Sequence, residues 1–185
     1  MTRPTTTGKA QDLITFTRST TGTALAKISY GEELVTNGTF DTNLSGWSGA
    51  GWVWSNGKAY DSGASVTEGL EQILTTVADR IYVIEYTLSG ISGGTPSLKF
   101  EDQTVATHPT DVTNGRVIVN ALGATSKVEF IGGGATFSVD NVSVKEVSFD
   151  QPDGTLQLFN HPINKPRIEY DASGNCLGLL VEEAR

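Results

Sequence analysis

The sequence predicts an all-β protein. Three observations carry that expectation. Twenty-one glycines are spread through 185 residues, and only 18% of residues are charged. Short runs rich in Val, Ile, Thr and Tyr recur between turn residues. Several of those runs alternate apolar and polar positions, the period of a half-buried strand. Gly-rich turns between β-branched runs are the composition of a sandwich or a barrel.

The elements follow in chain order. Met1–Gln11 is polar and Thr-rich, with the character of an arm that orders on a partner or of a disordered tail. Leu13–Arg18 reads as a short strand, and Ala24–Tyr30 alternates weakly. Further strands are expected at Gly51–Trp54, Lys58–Tyr60, Arg80–Leu88, Ser97–Phe100, Arg116–Leu122, Lys127–Ile131 and Thr136–Val147. Turns are expected at Asn56-Gly57, Gly93-Gly94-Thr95-Pro96, Asn114-Gly115 and Gly132-Gly133-Gly134. Asn-Gly between alternating runs is a strong hairpin signal. Tyr82, Ile84, Tyr86 and Leu88 fall on one face of their strand. Val128 and Phe130 oppose a solvated pair, Lys127 and Glu129. In Thr136–Val147 the apolar phase slips between Phe137/Val139 and Val142/Val144, so a β-bulge is predicted at Asp140-Asn141. Leu70, Ile73, Leu74 and Val77 carry helical spacing, yet the window is Thr- and Val-rich and sits among strands, so a strand is expected. After Asp153-Gly154, Thr155–Phe159 alternates with Leu156 and Leu158 on one face. Arg167–Tyr170 and Leu177–Val181 are short strands flanking a turn at residues 171–175. Three zones result, at residues 1–31, 32–147 and 148–185.

Charge and composition exclude several functions. A formal charge of −8 repels phosphate backbones and anionic bilayers, so neither nucleic acid nor membrane is an expected partner. No run approaches the roughly 18 apolar residues of a membrane helix, and residues 1–11 lack the apolar core of a signal peptide. The lone Cys176 forms no intrachain disulfide and reads as a buried structural thiol. No nucleophile elbow, zinc-ligand spacing or phosphate loop is present. His108 and His161 each adjoin a proline and read as loop residues. Glu68 with Glu71, or Glu101 with Asp102, are the only conceivable glycosidase pairs, and neighbouring acids in polar turns are ordinarily solvated surface. The chain is therefore expected not to be an enzyme.

Candidate binding residues are aromatic. Trp52 and Trp54 share a strand parity and hence are expected to share a fate, either packed inside or exposed together. With Tyr60 they form a candidate sugar-stacking platform. Trp47, Tyr82 and Tyr86 are expected in the core. Leu177, Leu179, Leu180 and Val181 are too apolar to be left in water, and an assembly role follows from packing on the sandwich or on a neighbouring subunit.

The segment Leu34-Val35-Thr36-Asn37-Gly38-Thr39-Phe40-Asp41, with Leu44-Ser45-Gly46-Trp47 after it and Phe137–Glu146 at the far end, resembles the carbohydrate-binding-module-like jelly rolls of tailed-bacteriophage and prophage proteins. The flanks, Phe16-Thr17-Arg18 and Pro166-Arg167-Ile168-Glu169-Tyr170-Asp171 with Gly178–Arg185, resemble a segment of tailed-phage virion proteins, here with the jelly roll inserted between its halves and the chain stopping at Arg185. The first resemblance implies a jelly-roll β-sandwich, and the flanks would pair into a small β-rich base. It also implies a structural Ca²⁺ at Asp41 and Asp140, set against a bland reading in which these serve a turn and the bulge. Together they imply a virion accessory protein, assembled in the host cytoplasm, of the capsid-decoration or head-fibre type. It would contact other virion proteins and form a homo-oligomer, such as a trimer. A glycan-binding module for host attachment and a tail-fibre or baseplate adaptor are the alternatives.

Overall fold

A computed structural model describes residues 22–63, 68–151, 153–161 and 168–179. The expected strand at Leu13–Arg18, the Thr-rich arm, Leu180 and Val181 lie outside the described residues. The chain forms two compact units, Tyr30–Val147 and the pair of segments 1–29 with 148–185.

The Tyr30–Val147 unit is an antiparallel β-sandwich. One sheet has the order β2 (Trp52–Ser55), β3 (Lys58–Ser62), β10 (Thr136–Phe149), β5 (Ile81–Ser92) and β8 (Val112–Asn120). The other has the order β4 (Leu70–Thr75), β9 (Thr125–Ile131), β6 (Ser97–Phe100) and β7 (Gln103–Thr107). The chain crosses between sheets after β3, β4, β5, β7, β8 and β9, the back-and-forth course of a jelly roll. Alternation explains the layers. Tyr82, Ile84, Tyr86 and Leu88 of β5 face Leu98, Phe100, Val128 and Phe130 of the opposite sheet in one buried cluster.

Local chemistry fixes the joints. Asn56-Gly57 closes the β2–β3 hairpin with both residues at positive φ (53° and 74°), the conformation that turn demands. Glu101 and Asp102 do the same between β6 and β7 (50° and 63°). The bulge expected at Asp140-Asn141 is present. The β10–β5 register shifts between Asp140 and Ser143, and Asn141 takes φ 51°. The helically spaced window forms strand β4, whose buried face is Leu70, Gln72 and Leu74, with Ile73 exposed. Gln72 is the polar residue that hid this pattern. Its amide donates to the Thr36 and Gly46 carbonyls and accepts from the Thr36 N–H, pinning the 36–46 loop.

Four expectations are corrected. Asn114-Gly115 is no turn. It lies within β8, and Gly115 is needed because a Cβ there would stand 2.4 Å from the Tyr86 ring. Glu129 is not solvated but 7% exposed, because Lys127 on the same strand holds it. Cys176 is exposed rather than buried, since it begins β13 (Cys176–Leu179), half of a two-stranded ribbon with β12 (Ile168–Tyr170). His161 is no loop residue. It ends β11 (Thr155–His161) and is buried. Strand β7 was not foreseen, because Gln103–Thr107 holds one weak apolar pair.

The second unit has a core of its own among the described residues. Residues 22–28 of β1 (Gly22–Glu33) pair with β11, and Ala26, Ile28, Phe149, Phe159 and His161 are buried. The three rings stack at centroid separations of 5.0–5.8 Å. The buried face of β11 is thus Phe159 and His161, while Leu158 of the expected Leu156/Leu158 face is 66% exposed.

Candidate functional site

Trp52 and Trp54 do not share a fate. Trp52 is buried, meets Phe137 edge-on at 5.2 Å and points its indole N–H at the Glu68 carbonyl. Gly49 and Gly69 close over it, and a Cβ on Gly49 would stand 2.9 Å from the Trp52 ring. Trp54 lies two residues further along the edge strand, beyond that cover. It is 44% exposed and anchored by one hydrogen bond, its indole N–H to the Phe40 carbonyl at 2.6 Å. Next to it, Val53 (51% exposed) pairs across the hairpin with Tyr60. The exposed aromatic at this edge is therefore Trp54, on the parity it shares with Trp52, while Val53 and the half-buried Tyr60 lie on the opposite face of the hairpin. Trp47 is core. It leans on Phe40 and donates to the Thr36 and Asn37 carbonyls.

The opening and closing motifs of the sandwich meet. Val142 donates to the Gly38 carbonyl at 2.9 Å, and a Cβ on Gly38 would lie 1.9 Å from the Val142 oxygen, so only glycine fits. Asp41 is exposed in the bend after Phe40, and Asp140 accepts the Asn141 N–H through Oδ1. Among the described residues, no group of three or more His, Cys, Asp and Glu side chains is placed to hold a metal. The carboxylate that ties the two motifs is one the sequence reading passed over. Glu33 accepts the Val35 and Val144 N–H groups at 3.0 and 2.8 Å, takes the Ser143 hydroxyl, and pairs with Lys145. Its signal was position, immediately before Leu34-Val35.

The carboxylates considered for hydrolysis are tied down. Lys127 Nζ meets Asp102 at 2.9 Å and both Glu71 and Glu129 at 3.3 Å. Hydrogen bonding to Asp102, then to the two glutamates, holds the ammonium's pKa above the lysine range, and Lys127 in turn holds Asp102 below the carboxylate range. Glu101 accepts the Leu122 N–H at 3.1 Å and the Ser126 hydroxyl, so it ties the β6–β7 turn to the segment that leads into β9. Glu68, Glu71 and Glu129 do line a shared pocket of about 330 Å³ beside Gly49 and Gly69. Two of these three acids are ion-paired to Lys127. Inside the sandwich, the Tyr86 hydroxyl sits 2.7 Å from His108 Nε2. Burial pushes the phenol up to about 12 and the imidazole down, so both are neutral near pH 7.

Of the expected assembly residues, Leu177 is 64% exposed and Leu179 pairs in register with Ile168.

Solved structures are similar to this chain at low identity. A carbohydrate-binding module of the CBM4 type is 15% identical, with 60% of this chain and 99% of that one covered at a TM-score of 0.44. The Podospora anserina GH26-CBM35 β-(1,4)-mannanase is 10% identical at a TM-score of 0.39. The match covers 69% of this chain and 28% of that protein's length. No protein-family model matches the chain, and no curated protein matches it.

Proposed function

We propose that this protein is a non-catalytic accessory component of a tailed-phage virion, of the capsid-decoration or head-fibre type. In this reading the terminal segments dock on other virion proteins and the sandwich is the displayed module. The observation that carries it is the division of the chain. Segments from both ends, 1–29 and 148–185, belong to one compact unit, and everything between them forms another. That organisation suits a docking element carrying an inserted display module, and the sequence resemblance of the flanks supplies the virion context. Leu177, exposed on β13, and its neighbours Leu179, Leu180 and Val181 are the proposed anchor. The proposed homo-oligomer would form there.

The test is a cryo-EM reconstruction of particles whose genome encodes this chain. Sandwich density at symmetric positions on the capsid is expected. Density confined to the tail would make the protein an adaptor, and a particle lacking the chain would overturn the virion reading.

A second reading has its own observation. Trp54 leaves a half-exposed indole in water at the edge of a sheet, and Val53 with Tyr60 presents a partly exposed pair on the other face of the same hairpin. Rings exposed with one polar anchor are suited to stacking on sugar faces. The sandwich is therefore proposed to bind host-surface glycan, and Trp54→Ala with Tyr60→Ala should weaken that binding. Calcium at Asp41 and Asp140 belongs to the same proposal. A melting temperature that falls in excess chelator would support it, and an unchanged one would retire it.

A further inference from the structure

The β10 bulge carries a second, polar surface on the same sheet. On the outer face, Glu85 and Thr87 of β5, Thr113, Asn114 and Arg116 of β8, and the bulged Asn141 line a recess of about 290 Å³. Its parts are held in place. Arg116 Nε lies 3.4 Å from Glu85, and the same guanidinium donates to the Tyr30 hydroxyl at 2.8 Å. Thr87 donates to the Thr113 carbonyl at 3.0 Å. Tyr30 itself is 42% exposed. Among the described residues, the side-chain amides of Asn114 and Asn141 make no hydrogen bond.

The composition of this recess selects a ligand class. It contains one cation and one anion that neutralise each other, so it favours neither a phosphate nor an ammonium ligand. Its remaining groups are amides and hydroxyls, each able to donate and accept, which match a ligand whose hydroxyls do both. The lining divides between these polar groups and apolar surface that includes Tyr86, the mixture a sugar ring with its hydroxyls and C–H faces can use. The size lies at the low end for small-molecule sites and suits a monosaccharide unit. We infer that the recess between Asn141, Asn114 and Arg116 is a second carbohydrate subsite, specific for a neutral sugar, separate from the Trp54–Tyr60 surface. The inference rests on the glycan reading above and goes beyond it by naming a different place and a charge class. The bulge is what makes the subsite. It lifts Asn141 out of the strand's alternation and turns it over the β5–β8 edge of the recess, where a regular strand would present no amide.

Side-chain amide resonances read the subsite directly. The full chain, labelled with ¹⁵N, would be titrated with neutral gluco-, manno- and galacto-oligosaccharides, and with oligogalacturonate as the charged comparison. The expected result is a saturable shift of the Asn114 and Asn141 side-chain amides with at least one neutral sugar. That shift should persist in a Trp54→Ala/Tyr60→Ala variant. It should disappear in Asn114→Ala/Asn141→Gly, a pair that preserves the positive φ at 141, while the Trp54 indole still responds. Shifts confined to Trp54 and its neighbours would overturn the second subsite and leave the glycan reading standing. A preference for oligogalacturonate at the recess would overturn the neutral-sugar class. No shift with any sugar would remove both readings.

Discussion

The two units bury their chains in different ways. The Tyr30–Val147 sandwich has a core of aliphatic and aromatic residues from two facing sheets, with Phe40, Phe130, Phe137, Ile84, Leu88 and Leu98 almost wholly enclosed. Among the described residues, the unit formed by 1–29 and 148–185 buries Ala26, Ile28, Phe149, Phe159 and His161. A large two-sided core tolerates local irregularity, such as a bulge and a buried acid, because many contacts surround each fault. In the second unit the described core is organised around three mutually contacting rings, and each ring matters locally. The lesson concerns where substitutions act as much as how strongly.

The largest effect is expected from Phe137→Ala. It removes a fully buried ring that packs on Trp52 and should cost about 3–5 kcal/mol, seen as a lower midpoint in denaturant unfolding. Its counterpart, Phe159→Ala, should lose hydrogen-exchange protection in β11 and residues 22–28 while β5 and β9 stay protected. Equal loss of protection in both units would mean that they unfold together, and the contrast between them would fail. Next is Gly115→Ala. The added Cβ meets the buried Tyr86 ring, and overpacking of this kind costs about 1–3 kcal/mol.

Asp61→Asn runs the other way. Asp61 is fully buried, its Oδ1 accepts the Gly63 N–H, and its Oδ2 has no partner. Burial raises its pKa above the usual carboxylate range, against a smaller opposing effect of the Gly63 bond. A raised folded pKa means the protonated acid favours the fold. That stability is present below the ordinary carboxylate pKa and is lost as the pH rises through the folded value. At pH 7 the amide should therefore raise the melting temperature by a few degrees, about 1 kcal/mol, and the gain should vanish on acidification. A variant no more stable than the parent at pH 7 would mean that the carboxylate is satisfied in solution. The smallest stability change belongs to Trp54→Ala. Its half-exposed ring contributes about 0.5–1 kcal/mol to folding, so circular dichroism melting should barely move while glycan affinity drops.

The same contrast explains what the sequence disclosed. In the sandwich, one face of β5 and the Val128/Phe130 pair of β9 were legible, and the phase slip in β10 announced its bulge. Those inward positions face a deep core, so they are apolar and the pattern is clean, up to Ser126 at the end of β9, which is buried on hydrogen bonds to Thr76 and Glu101. Where one inward position is polar, as at Gln72, the pattern blurred, because loop-pinning hydrogen bonds replaced hydrophobic burial. In β11 the alternation pointed the wrong way. Phe159 and His161 go inside while Leu158 stays out, because both rings pack with Phe149. The site was harder to read. Parity alone gave Trp52 and Trp54 one fate, but a four-residue edge strand is covered at only one end. The recess beside Asn141 draws on β5, β8 and β10, and no local spacing in the sequence joins residues 85, 114, 116 and 141.

The sandwich begins and ends side by side. Leu34 donates to the Val144 carbonyl at 3.0 Å, so the strand that enters the unit and the strand that leaves it are hydrogen-bonded neighbours. A module whose two ends lie one strand spacing apart needs no linker to be spliced into a host chain. Recombination at two codon positions, near Tyr30 and near Val147, could remove this module and insert another with adjacent ends while the surrounding reading frame kept its own fold. Seen that way, the pairing of Leu34 with Val144 is a cloning site. Grafting the 30–147 cassette into an unrelated β-hairpin loop should yield a chimera in which both parents keep their folds.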